Sequence, residues 1–100
     1  MILEVAILDV KSGEETAFEN DFARAQTIIS SMKGYLGHEL QRCIENSSRY
    51  ILLVRWQALK DHTEGFRGST EYQEWRALLH HYYDPFPVVE HYEGVFSNEL

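Results

Sequence analysis

The chain has 100 residues, 44% of them hydrophobic and 25% charged, which is typical of one globular domain spanning residues 1–100. Nine basic against sixteen acidic side chains leave a net charge of −7, and without a Lys/Arg cluster we expect no nucleic-acid partner. Apolar runs stay far below the roughly 20 residues that cross a bilayer, so we expect no membrane contact. The single Cys43 is typical of a protein in a reducing compartment, and we therefore expect a cytoplasmic location.

The first third of the sequence predicts a strand followed by an amphipathic helix. Residues 2–10 are largely apolar on both alternating faces, which favours a strand. Ser12 and Glu15 have the spacing of a capping box, so we expect them to open a helix. Along this helix, large apolar side chains recur every three or four residues and form one stripe: Phe18, Phe22, Ala25, Ile29 and Met32.

The middle of the sequence predicts a β-hairpin. Residues 35–42 and 49–57 alternate in polarity on either side of the turn residues 45–48, and they should pair as antiparallel strands. The pattern weakens over residues 58–68, where a short helix would carry His62 at the surface or in a lid.

The C-terminal third predicts an aromatic helix and a last strand. Ser69 can cap a helix whose apolar stripe consists of Tyr72, Trp75, Leu79 and Tyr82. Pro85 and Pro87 stop this helix because proline cannot donate to a helical ladder. We expect a strand over residues 88–96 and a loose tail over residues 97–100.

The element order β-α-β-β-α-β predicts an α+β, ferredoxin-like fold. Because β-α-β crossovers are right-handed, both helices should cover one face of a four-stranded antiparallel sheet. The strands are apolar on both faces, so the uncovered face also needs a partner. We therefore expect a homodimer in which two copies pack sheet against sheet.

The sequence resembles the antibiotic biosynthesis monooxygenase superfamily, whose fold is the dimeric α+β barrel. The resemblance rests on the VKSGEE turn after the first strand, the GYLGHEL strand, the YILLVRWQALKDH segment and the S-x-x-Y-x-x-W helix that begins at Ser69. It implies a pocket between the helices and the sheet of each protomer. It also implies an oxygenase that oxidises a phenolic or quinol-like molecule with dioxygen and needs no cofactor.

A base is the main chemical requirement for such a reaction, because deprotonation makes a phenol electron-rich enough to react with dioxygen. Histidine titrates near neutrality, and on the strand alternation we expect His38 or His91 to be the catalytic base. A small aromatic substrate would then lie against the remaining candidates for binding: Trp56, Phe66, Tyr72, Trp75 and His80. No His or Cys spacing predicts a metal site.

Three alternatives remain open on the sequence. The aromatic side chains can simply fill the core. The chain can be a dimeric, non-catalytic protein that binds a small ligand or serves in a stress response. Relatives of the haem-degrading branch carry a histidine ligand on the long helix and an asparagine on the first strand. Here Trp75 or Arg76 falls at the ligand position, and the first strand has no Asn, so we rank haem degradation last.

Overall fold

The computed structural model describes residues 1–98; Glu99 and Leu100, the end of the expected tail, lie outside the described residues. The expected element order is confirmed; the short helix expected within residues 58–68 is a π-helix, and a 3-10 turn is added after the second long helix. The elements are β1 (Ile2–Asp9), α1 (Glu15–Ile29), β2 (Tyr35–Arg42), β3 (Arg49–Trp56), a short π-helix (Asp61–Phe66), α2 (Thr70–Leu79), a 3-10 turn (His80–Tyr82) and β4 (Val89–Tyr92).

The four strands form one antiparallel sheet in the order β2-β3-β1-β4, which is the ferredoxin-like arrangement. In the centre of the sheet, Ala6 of β1 lies between Leu52 of β3 and Val89 of β4. Alternate side chains of the strands point toward the helices, and α1 and α2 pack against each other. Within residues 1–98, no helix is long and apolar enough to cross a membrane.

Phe18 joins α1 to the sheet and to the end of α2. Its fully buried ring lies 4.9 Å from the ring of Tyr50 on β3 and 5.7 Å from the ring of Tyr82, measured between centroids. Phe22, Ala25 and Ile29 are buried along the same stripe, as their spacing predicts. This packing fixes the helical layer over the sheet.

Three local expectations were wrong. Helix α1 has no capping box: Glu14 is its N-cap, and the Glu15 carboxylate instead accepts hydrogen bonds from the Gly13 amide and the Ser48 hydroxyl. Strand β4 covers only Val89–Tyr92, because it pairs with four residues of β1 and no more. His62 is not a surface residue, since its side chain is buried beneath the π-helix that carries it.

Two glycines hold that π-helix against its neighbours. Gly34 has a φ of 83°, and a Cβ at this position would collide with the side chain of Asp61, the first residue of the π-helix. At the other end, a Cβ on Gly68 would lie 2.6 Å from the backbone oxygen of Glu64. At both ends of the π-helix the backbone therefore passes too close to its surroundings for a side chain at the glycine position.

Candidate active site

A cavity of about 380 Å³ opens between the sheet, the π-helix, α2 and the loop after it. This volume lies within the range of small-molecule sites, which begins at about 300 Å³. Apolar and aromatic side chains predominate in the lining, which consists of Glu4, Ala6, Leu8, Leu52, His62, Phe66, Arg67, Tyr72, Trp75, His80, Tyr83, Phe86, Pro87 and Val89.

One wall of the cavity carries a chain of hydrogen-bonding side chains that begins at Glu4. The Trp56 indole donates from Nε1 to Glu4 Oε1 over 2.9 Å, and His62 Nε2 lies 3.4 Å from the same oxygen. His62 Nδ1 is 2.7 Å from Nε2 of His91. The register places Glu4 of β1 directly opposite His91 of β4, so the sheet itself sets the two ends of this chain.

Burial disfavours the charged forms of Glu4 and His62, although the two side chains lie at ion-pair distance. Only 5% of Glu4 and 3% of His62 is exposed. Burial raises the pKa of the Glu4 carboxyl, and the Trp56 hydrogen bond and the Arg67 charge only partly oppose it. Burial, followed by the charges of Arg67 and His91, lowers the pKa of His62 to about 3. We therefore interpret the 3.4 Å contact as one between a neutral imidazole and the Glu4 carboxyl group rather than as a salt bridge.

The rest of the lining is largely aromatic. Phe66 meets Tyr72 and Trp75 edge-on, with centroids 5.2 and 5.7 Å away. His80 lies edge-on to Tyr72 at 5.9 Å and to Phe86 at 4.9 Å. Burial lowers the pKa of His80, so this ring is neutral near pH 7. Flat aromatic molecules fit between such walls by stacking or edge-on contact.

Four of the five predicted binding residues line the cavity: Phe66, Tyr72, Trp75 and His80. The fifth, Trp56, lies behind the wall; its ring stacks on His62 at 5.4 Å with an interplanar angle of 21°, and its N–H holds Glu4. Trp56 therefore supports the site without lining it.

The two histidines predicted as bases occupy different places. His91 is absent from the lining but is hydrogen-bonded to His62, which does line the cavity. His38 lies on β2, where its Nε2 is 2.9 Å from Gln26 Oε1 and its Nδ1 meets the Tyr35 hydroxyl. The structure thus brings His91 to the cavity wall and keeps His38 outside it.

Among the polar lining residues, sequence reasoning missed four as parts of the site, namely Glu4, His62, Arg67 and Tyr83. Glu4 did leave a signal, because it is the one acid on the strand face that also carries Ala6 and Leu8. Within residues 1–98, no three His, Cys, Asp or Glu side chains are arranged to hold a metal ion.

Comparison with known proteins gives the same scaffold. YczJ of Bacillus subtilis, an uncharacterised protein, is 57% identical over 95 residues, which are 95% of this chain and all of YczJ. A candidate antibiotic biosynthesis monooxygenase from Bordetella bronchiseptica has a crystal structure that superimposes with a TM-score of 0.90 at 36% identity, covering 95% of this chain and 97% of that one.

A more distant structure is that of SnoaB from Streptomyces nogalater, a cofactor-independent oxygenase. It shares the fold, with a TM-score of 0.71, 19% identity and coverage of 99% of this chain and 93% of SnoaB. The family model for antibiotic biosynthesis monooxygenase matches residues 1–78. The chain therefore belongs to the antibiotic biosynthesis monooxygenase family.

Proposed function

We propose that the protein is a cofactor-independent monooxygenase that oxidises a small phenolic or quinol-like molecule with dioxygen. The observation that carries this proposal is the buried Glu4–His62–His91 chain in the wall of an aromatic cavity. Family membership supports it, as does the fold shared with SnoaB, a cofactor-independent oxygenase.

The reaction needs no outside reductant. Loss of a proton converts the substrate to an electron-rich anion, which transfers an electron to dioxygen and then forms a C–O bond to the reduced oxygen. The resulting hydroperoxide loses water. One oxygen atom remains in the substrate as a carbonyl and the other leaves as water, since the substrate supplies both electrons and both hydrogens.

In this proposal Glu4 takes the proton. Trp56 and His62 both contact Oε1, and across residues 1–98 no hydrogen bond engages Oε2, so this oxygen is left to accept from a substrate hydroxyl. A carboxylate with a raised pKa is a stronger base than one in water. When His62 carries its proton on Nδ1, Glu4 can pass the proton to Nε2 while Nδ1 releases one to His91, which is partly exposed.

Phe66, Tyr72, Trp75 and His80 have the second role, which is to hold the substrate ring. These rings line the cavity and meet one another edge-on, and in this proposal they contact the substrate ring and keep water from the reacting carbon. His38 has no part in this proposal, because it lies outside the cavity and bonds to Gln26 and Tyr35.

Oxygen uptake tests the proposal. Purified protein is measured against a panel of hydroquinones and anthrones, together with Glu4→Gln, His62→Gln and the control His38→Ala. Loss of a general base costs roughly 10²–10⁴ in kcat, so we expect Glu4→Gln to fall in this range and His38→Ala to stay within about twofold of the wild type. No uptake above buffer across the panel would contradict the oxygenase, and binding without uptake would support the non-catalytic alternative.

We also infer that two copies pack through the sheet face that the helices leave uncovered. The outward-facing side chains of the two central strands are apolar along most of their length: Leu3, Val5, Ile7, Ile51 and Leu53. Such a continuous patch is unusual on a monomer. Sedimentation should give a species of twice 11.7 kDa, and Leu53→Glu should give the monomer with an unchanged far-UV spectrum. A wild-type protein that sediments as a monomer at micromolar concentration contradicts the inference.

A further inference from the structure

The cavity has one permanently charged cation, Arg67. Its side chain is exposed at the edge of the cavity and belongs to the lining. Burial lowers the pKa of the two lining histidines, His62 and His80, so neither is a cation near pH 7. Of the lining residues that the structure describes, Arg67 alone offers positive charge to a bound molecule.

Arg67 has no acidic partner among residues 1–98. Of the five other arginines, four lie within 4.0 Å of a carboxylate, namely Arg24, Arg42, Arg49 and Arg55, while Arg76 shares the lack of a partner among residues 1–98 but does not line the cavity. No carboxylate of the described residues comes within that distance of Arg67, although the protein carries sixteen acidic side chains. A guanidinium next to an aromatic cavity and without a protein carboxylate is suited to a carboxylate on a ligand, which it can bind through two parallel hydrogen bonds.

The backbone fixes Arg67 relative to His62. Its amide donates to the His62 carbonyl over 3.1 Å and closes the last turn of the π-helix. Gly68 follows, and its own amide donates to the Glu64 carbonyl at 3.0 Å, a close approach that a Cβ would obstruct. The backbone of Arg67 therefore belongs to the same hydrogen-bonded turn as His62 and Phe66, which also line the cavity.

We propose that the substrate is an aromatic acid, in which a ring held between the aromatic side chains carries a carboxylate that pairs with Arg67. This inference rests on the proposed oxygenase and adds the substrate class to it. The net charge of −7 makes the surrounding field repel anions, so selection of an acid requires a local cation such as Arg67.

Pairing at Arg67 would also strengthen the bases of the site. Burial and then the Arg67 charge lower the pKa of His91, and the same charge acts against the raised pKa of Glu4. A substrate carboxylate that pairs with the Arg67 guanidinium would offset this positive charge and so raise the pKa of both groups. A bound substrate would therefore make Glu4 a stronger base for removing its own proton.

Calorimetric titration under nitrogen tests the substrate class independently of turnover. The probes are 3-hydroxy-2-naphthoate and 2-naphthol, which differ by one carboxylate. The test variant is Arg67→Gln, and the control with the same change of charge is Arg24→Gln. The Arg24 side chain, on α1, is 73% exposed and does not line the cavity. Hydrogen bonds to a charged group typically contribute enough for a tenfold or larger change in Kd.

We expect wild type to bind the naphthoate at least tenfold more tightly than the naphthol and to lose this preference in Arg67→Gln, while naphthol affinity stays within about twofold. Arg24→Gln should keep the preference, and added salt should weaken only the naphthoate. Equal affinities in the wild type, a preference that persists without Arg67, or binding of neither probe would overturn the substrate class. If the protein nevertheless consumes oxygen with neutral quinols, the proposed oxygenase activity is still supported and only the aromatic-acid substrate class is contradicted.

Discussion

Replacing His62 by glutamine should remove a large part of the acid sensitivity of this protein. His62 has a pKa of about 3 in the folded chain against 6.5 when unfolded, because its buried ring resists charge. Below pH 6.5 the unfolded chain binds a proton here that the folded chain does not. The stability that neutral His62 contributes is therefore complete above that pH and is lost as the pH falls toward 3.

The size of this effect follows from linkage. At pH 5 the unfolded imidazole is almost fully protonated and the folded one almost fully neutral, so His62 alone costs about 2 kcal/mol between pH 8 and pH 5. This figure depends mainly on the unfolded pKa. It changes little if the folded pKa lies anywhere below about 4.

Urea unfolding at pH 8 and pH 5 measures the effect. Wild type should lose about 2 kcal/mol more than His62→Gln over this interval, while His81→Gln, an exposed control, should follow the wild type. Because each protein is compared with itself at the two pH values, any pH-independent loss of stability caused by the substitution cancels. A variant whose pH dependence equals that of wild type within about 0.5 kcal/mol would refute the reasoning, because His62 would then be charged and ion-paired with Glu4.

Three further outcomes test the elements that position the cavity. Ser69→Ala should lower the free energy of unfolding by about 1 kcal/mol, because the Ser69 hydroxyl accepts from the Tyr72 amide over 3.1 Å at the start of α2 and donates to the Phe66 carbonyl over 2.6 Å. Ser69→Thr keeps both the donor and the acceptor and should restore most of the loss, and equal stability of all three proteins would contradict the cap. Gly68→Ala should cost more than 1 kcal/mol because the new Cβ would press on the Glu64 carbonyl, as chemical denaturation would show. Gly65→Ala is its matched control, since the nearest atom there is 3.7 Å away, and it should be neutral or slightly stabilising; equal losses at both glycines would show that space is not the cause.

The fold could be predicted because its signals are local. Alternation in β2 and β3 and the stripe of α1 each occur within one element, and the proline pair marks the end of the second helical segment. The aromatic lining was predicted for the same reason, since Tyr72 and Trp75 are spaced three residues apart on α2.

The polar part of the site depends on features that a single element does not reveal. His62 lies in a π-helix, to which the 3.6-residue period does not apply, so its burial left no pattern. Glu4 meets His91 only through the register of β1 with β4. On β2 an irregularity in the pairing between Tyr35 and Gly37 leaves Leu36 exposed, whereas strict alternation would place it on the same face as His38.

The shortness of β4 has a consequence for how the protein responds to mild stress. His91 belongs to a strand of four residues at one edge of the sheet, whereas Glu4 lies in the central eight-residue β1. Short edge strands open by local fraying at a lower free energy than the whole domain. Warming should therefore detach His91 from His62 before the domain melts. In the proposed oxygenase, turnover should then decline while the helices and the three longer strands remain folded.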